Sequence, residues 1–357
     1  MKNKTLLLSI IIFSTLLTTF SVYFYQIFFT PNFLINNSGK KIYINDAMNF
    51  KDLQHTLLEN GYVHDLLSFS FLAKIMKYNE NITPGAYIVE SNMSNYNLIK
   101  KLRSGNQTPV EITFNNVKNL KELADKITQN INLTPTDFLE YVYNGNWYNS
   151  INLKPNYQKI GLLKSKFNLE NILLLFLPDT YEVYWNISEK FLVEKMKTQY
   201  DVFWNSNRIK KAQDINLSNI EVGILASIIQ AETNHVDEAP IIAGVYINRL
   251  RKKIPLQADP TLIFAHGDYS ITRVLNIHKK INSPYNTYKN RGLPPGPINL
   301  PEKGFIDAVL NYTQHNYYFF CAKDDFSGYH VFSDNLKEHK KNAKKFQKAL
   351  DKLKIFK

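Results

Sequence analysis

Residues 222–250 read VGILASIIQAETNHVDEAPIIAGVYINRL. Ile224, Leu225, Ile228 and Ile229 recur three and four apart, the spacing of one apolar helix face. Glu232 takes the next place on that face, four after Ile228 and three after Ile229. Three readings fit a carboxylate there. The stripe ends in a frayed last turn, since Thr233 and Asn234 follow. Or Glu232 pairs with a basic residue such as Arg249 on the next helix, because a buried charge is costly unless paired. Or the carboxyl is a general acid, its ionised form disfavoured by the apolar face so that it holds a proton near neutral pH.

Around this stretch lies a chain of 357 residues, 44% hydrophobic, long enough for a sizeable core and more than one domain. Its 13% aromatic content argues against extended disorder. The N-terminus, MKNKTLLLSIIIFSTLLTTFSVYFYQIFFTPNF, carries no charge between Lys4 and Lys40. Residues 5–29 are enough to cross a hydrocarbon core of about 30 Å. The run is longer than a signal peptide's apolar region and ends in Ile-Phe-Phe-Thr-Pro with no small-x-small cleavage pattern. It reads as an uncleaved single anchor, with Lys2 and Lys4 on the cytoplasmic side and nearly all the rest outside.

Cys321 is the only cysteine, so no intrachain disulfide forms. In YYFFCAK it reads as a small hydrophobe on a buried strand. Net charge is +12, and residues 336–357 hold nine Lys against Glu338 and Asp351. Leu336, Ala343, Phe346, Leu350 and Leu353 give that segment an apolar stripe, so it reads as a terminal helix packed on one side. Its basic face suits an anionic wall polymer or membrane surface; nucleic acid is not expected as a partner.

The fold class expected is α+β, a membrane-anchored two-domain chain. Residues 1–39 form the stub and anchor. Residues 40–108 form a small β-α-α-β-α module: strand KIYIN, a helix capped by Asn49 and stopped by Gly61, a helix over 66–78, a strand after Pro84-Gly85, and a helix after Asn95 stopped by Gly105. Residues 109–357 form the larger domain, with its chemistry in 219–345. Helical patterns there include LKELADKITQNI, TPTDFLEYVYN and EKFLVEKMKTQYDVFWN, and LPDTYEVYW reads as a strand. The loop 281–301 is stiff and polar, with five Pro, two Gly, Asn286, Tyr285, Thr287 and Tyr288. It is either a sugar-contacting surface or an ordered crossover.

None of the eight histidines forms HExxH or a close ligand pair, so no metal site is expected. There is no G-x-S-x-G elbow, no GxGxxG and no phosphate loop. Carboxylates are therefore the catalytic candidates, and near Glu232 the others are Asp237, Glu238 and Asp259.

LASIIQAET (225–233), LQADPT (256–261), SPYNTY (283–288), GLPPGPI (292–298) and Pro301 follow in order, then YYFFCAK, GYHVF and EHKKN (338–342). LPDTYEV (177–183) lies upstream. In this order the strings resemble the YceG-like endolytic murein transglycosylases over essentially the whole chain. EITFNNV and the displaced Glu170-Asn171 depart from that family's pattern. The resemblance implies that Glu232 is the catalytic acid, the residue that the helix face also marks. It implies a LysM-like fold for 40–108 and sugar contacts at Gln257, Asp259, Tyr285, Asn286, Thr287 and Tyr288, with Pro294 and Gly296 shaping the cleft. It implies no cofactor. The expected partners are peptidoglycan glycan strands, the bacterial cytoplasmic membrane through the N-terminal helix, and peptidoglycan synthases. The implied reaction cuts nascent strands between MurNAc and GlcNAc and leaves 1,6-anhydro ends. A hydrolase of the same fold and a non-catalytic glycan-binding wall protein are the alternatives.

Overall fold

The computed structural model describes residues 2–35, 39–145, 147–148, 166–271 and 273–352. The fold is mixed α/β with an apolar N-terminal helix, and the chain divides into two compact units. The first comprises Met1–Ile112 with Asn130–Leu133 and Glu182–Ile187.

Helix α1 (Lys2–Phe29) includes a 26-residue stretch of mean hydropathy 2.1 with none of its apolar window buried, long enough to cross a membrane. Its last turn is different. Ile27 is buried in the first unit's core with Phe33 and Ile35, and its carbonyl accepts from Asn95 Nδ2 at 2.9 Å. Strand β1 (Pro31–Phe33) follows, so residues 31–33 are not a plain connector. The sheet pair of this unit is antiparallel β2 (Lys40–Ile44) with β3 (Gly85–Val89). Strand β1 pairs with the short β4 (Met93–Ser94).

Helix α2 (Phe50–Glu59) starts in a capping box between Asn49 and Asp52 and presents Leu53 and Leu57 inward. Helix α3 (Leu66–Ile75) stops three residues before the 78 expected, because Lys77 turns into left-handed backbone at φ 56°. Helix α4 (Asn95–Arg103) is capped by Ser94. Asn95 itself is buried and bonded to Asn32 and Ser68, a polar node that the sequence pattern had placed outside the helix.

The second unit is mostly helical. Strand β5 (Val110–Phe114) ends in it with Phe114 stacked on Tyr181 of β6 (Asp179–Val183). Helices α5 (Leu120–Ile127), α6 (Pro135–Tyr143) and α7 (Glu189–Phe203) start on Asn119, Thr134 and Ser188 caps. Helix α8 (Ser206–Asp214), capped by Asn205, lacked enough apolar residues to be read from the sequence. Helix α9 (Asn219–Glu232) opens in a Ser218–Glu221 capping box. It is buried from Ile220 to Ile229 apart from Glu221, so it is the unit's central helix, more than the one-sided stripe expected. It packs on α10 (Ala239–Arg251), α11 (Asp259–His266) and α12 (Lys303–Leu310).

The hairpin β7 (Phe319–Ala322) and β8 (His330–Ser333) is half-buried. Cys321 is half-buried with it, so the expected buried strand is corrected: one side faces a cleft. Helix α13 (Leu336–Lys352) packs on that hairpin. Its packed side holds His339, Ala343, Phe346 and Leu350, whereas Leu336 is 49% exposed and leaves the stripe. Leu353 lies outside the described residues.

Candidate active site

Glu232 is the last residue of α9, and Thr233 already has extended backbone. The frayed-end reading had this position right and the consequence wrong. The helix C-terminus disfavours negative charge, and packing from α10 removes water from the carboxyl. Burial pushes the Glu232 carboxyl up to about 7; Asp259 pushes the same way, while a Tyr246 hydrogen bond and Arg249 oppose. Tyr246 Oη donates to Glu232 Oε1 at 2.6 Å.

Tyr246 is buried on α10, and its own hydroxyl is held well above its ordinary range by burial first and by Glu232 next. It was missed in the sequence. The available signal was a tyrosine in the apolar run GVYINRL: a buried hydroxyl needs a partner. Arg249, the partner weighed from sequence, makes no ion pair with Glu232 among the described residues. Its guanidinium donates to the carbonyls of Tyr318 (2.7 Å) and Leu256 (2.6 Å) and lies over the Phe319 ring. It therefore pins the cleft walls together and acts on Glu232 through its field alone.

The cavity at Glu232 has a volume of about 380 Å³. Its walls include Tyr246, Gln257, Asp259, Tyr288, Phe320 and His330. Gln257 is exposed, in left-handed backbone at φ 54°, and its N–H is tied to the Thr287 carbonyl. Tyr288 donates to Asp259 Oδ1, which ties the loop to the start of α11. Burial and that carboxylate drive the Tyr288 phenol far up. Phe320 meets both Tyr246 and His330 edge-on, so the floor is aromatic. Burial, followed by Asp324, raises the Cys321 thiol, which keeps it protonated and a poor nucleophile.

The other carboxylates sort themselves by partner. Asp237 accepts from Tyr329 Oη at 3.1 Å. Glu238 is buried and holds both the backbone N–H and Nδ1 of His330, at 2.7 and 2.8 Å. Only Asp259 shares the cavity with Glu232.

Five of the expected sugar contacts or cleft shapers lie outside the wall of this cavity. Asn286 is fully buried: Nδ2 donates to the Lys279 and Ile281 carbonyls, and Oδ1 accepts from the N–H groups of Tyr288 and Lys289. Thr287 is buried too and ties the Ala258 N–H and the Thr261 hydroxyl. Both side chains have their polar atoms committed to holding the loop. Pro294 and Gly296 are buried outside the cavity wall. A Cβ on Gly296 would stand 2.0 Å from the Glu170 carbonyl and 2.7 Å from Tyr285 Oη, so the glycine permits a backbone crossing. Tyr285 packs on Phe264 at that crossing, away from the Glu232 cavity.

A mixed α/β fold thus sets one carboxyl, pushed toward holding its proton, at the end of a central helix beside an aromatic cleft, an arrangement suited to general acid–base chemistry. The YceG-like family model matches residues 42–345, and the chain belongs to that family. It is 27% identical over 366 residues to the endolytic murein transglycosylase of Streptococcus pneumoniae R6, covering 95% of this chain. The chain spans 65% of that relative's length. The Bacillus subtilis endolytic murein transglycosylase is 43% identical over 122 residues, 34% of this chain and 33% of that protein. A crystallised YceG-like protein from Listeria monocytogenes superposes with a TM-score of 0.54 at 26% identity, covering 85% of this chain and 98% of that one.

Proposed function

We propose that the chain is an endolytic peptidoglycan transglycosylase that cuts nascent glycan strands between MurNAc and GlcNAc and leaves 1,6-anhydro-MurNAc ends. The observation that carries this reading is Glu232, whose carboxyl is pushed up to about 7 and so is partly protonated at neutral pH. As acid it gives its proton to the leaving glycosidic oxygen while the C1–O bond breaks. As the resulting carboxylate it takes the proton of the MurNAc 6-hydroxyl while O6 bonds to C1. Because the sugar supplies its own nucleophile, one carboxyl serves both steps.

The Tyr246 hydrogen bond on Oε1 supports this double duty. It leaves Oε2 to carry the acid proton and steadies the carboxylate between steps. Gln257, Asp259 and Tyr288 line the cavity and are the residues assigned here to hold sugar hydroxyls, while Phe319 and Phe320 add apolar wall. The names of the streptococcal and bacillar relatives support the same activity.

The apolar helix α1 is the proposed anchor in the bacterial cytoplasmic membrane, with Lys2 and Lys4 inside and the catalytic part on the extracytoplasmic side. Tethering raises the enzyme's effective concentration where synthases deliver new strands. The β-α-α-β-α order of the first unit supports a LysM-like module that grips glycan, and the two units then form a two-domain enzyme. The test is digestion of purified peptidoglycan by the full chain in detergent, with mass analysis of the new ends. Anhydro ends are expected. Reducing ends make it a hydrolase, and binding without cleavage makes it a wall-binding protein.

A further inference from the structure

A second concavity, about 640 Å³, adjoins the first and takes no part in the chemistry above. The end of α9 is the ridge between them. Gln230 and Ala231 line the second concavity, while Glu232 lines the first. Two residues of helix turn the side chain through about 200°, so Gln230 and Glu232 face opposite ways. The start of α11 repeats the division: Asp259 lies on the Glu232 side, and Pro260, Ile263 and Phe264 lie on the other. At both places the lining passes from one trough to the other between consecutive residues, Ala231 to Glu232 and Asp259 to Pro260.

The second trough carries its own recognition chemistry. Tyr269 is 45% exposed at its rim, and Lys118 Nζ lies 4.8 Å from the ring centroid. Asn234 is exposed beside them. The Gln230 side-chain oxygen accepts the Glu302 N–H at 2.6 Å, which fixes the floor to the start of α12. A flat ring suits the apolar face of a pyranose. A cation next to it suits the carboxylates of a lactyl group or stem peptide. Exposed amides suit hydroxyl and acetamido groups.

We propose that this trough, with Tyr269 and Lys118 as its recognition pair, is a glycan subsite that holds the strand on the side of the scissile bond opposite the Glu232 cavity. The inference rests on the glycan-cleaving reading of the Glu232 site. It gives endolytic action a structural cause. An enzyme that grips the strand on both sides of its acid cuts within a strand, whereas one that grips on a single side is as well served by an end.

The test separates binding from chemistry. In the full chain in detergent, with Glu232→Gln to prevent turnover, the affinity for a fluorescent multi-disaccharide glycan strand is compared with that for a GlcNAc-MurNAc disaccharide. Adding Tyr269→Ala and Lys118→Ala should weaken strand binding by about tenfold, the scale of losing one buried ring contact. Disaccharide affinity and the melting temperature should hold. With Glu232 restored, the same double variant should give longer products bearing the same kind of ends. Unchanged strand affinity, or equal loss for strand and disaccharide, overturns the subsite. Failure of the wild type to form anhydro ends would sink the function proposed above. The strand-against-disaccharide comparison would still decide the trough.

Discussion

At Glu232 two effects of opposite sign meet on one carboxyl. Burial and Asp259 favour the proton; Tyr246 and Arg249 favour its loss. Glu232→Gln should cost at least about 10²–10⁴-fold in anhydro-end formation with the fold retained. It should also flatten the pH dependence of stability. The folded carboxyl titrates at about 7, above its ordinary 4.5, so its stabilising proton is fully present below pH 4.5 and lost as pH rises through 7. The melting temperature of Glu232→Gln relative to wild type should therefore rise between those two limits and level off above. A constant difference across that range would mean that the carboxyl is not held neutral. Tyr246→Phe removes the hydrogen bond that steadies the carboxylate, so the pKa should climb further. The alkaline limb of kcat/KM should then move up by about one pH unit, and an unmoved limb would leave Tyr246 a packing residue.

The loop 281–301 shows how an element is fixed by residues that look like ligand contacts. Asn286 closes four hydrogen bonds at its centre. Ile298 N–H donates to Ser227 Oγ, and Asn299 Nδ2 donates to the Ser227 carbonyl, which stitches the loop to α9. Asn286→Ala leaves buried backbone groups unpaired and should destabilise by about 2–3 kcal/mol, read as a lower denaturant midpoint. A sugar-binding asparagine would instead raise KM with stability unchanged. Gly296→Ala drives a methyl into the Glu170 carbonyl and should cost about 1–3 kcal/mol. A substitution that melts like wild type would show that the crossing is looser than the packing implies.

For the whole molecule, the last turn of α1 belongs to two environments at once. Its apolar span faces outward, yet Ile27 is 6% exposed and sits in the first unit's core beside Phe33. Removing residues 1–20 should release the protein from membranes and leave that unit's stability nearly intact. Removing 1–30 should also lower its melting temperature by several degrees, since burying an Ile contributes about 1.5–3 kcal/mol. Equal stability of the two truncations would detach the anchor from the core. In spheroplasts a C-terminal fusion should be open to protease while the protein pellets with membranes after high-salt washing. Release as a shortened soluble form would make the N-terminus a signal peptide.

Much of this was legible in one dimension because the signals are local. The apolar run predicts α1 from length alone, Asn49 and Asp52 mark a helix start three residues apart, and Glu232 interrupts a stripe whose period is three to four. Side-chain chemistry that closes within one helix turn is visible in the order of residues. What the tertiary structure alone decided involves partners far apart in sequence. Tyr246 reaches Glu232 across 14 residues, Glu238 reaches His330 across 92, and the backbone of 170 determines that 296 is glycine. Asn286 and Tyr288 are two residues apart in one polar loop, yet one is buried at its centre and the other lines the cavity. Composition cannot separate them, because burial depends on which element comes to lie against each side chain.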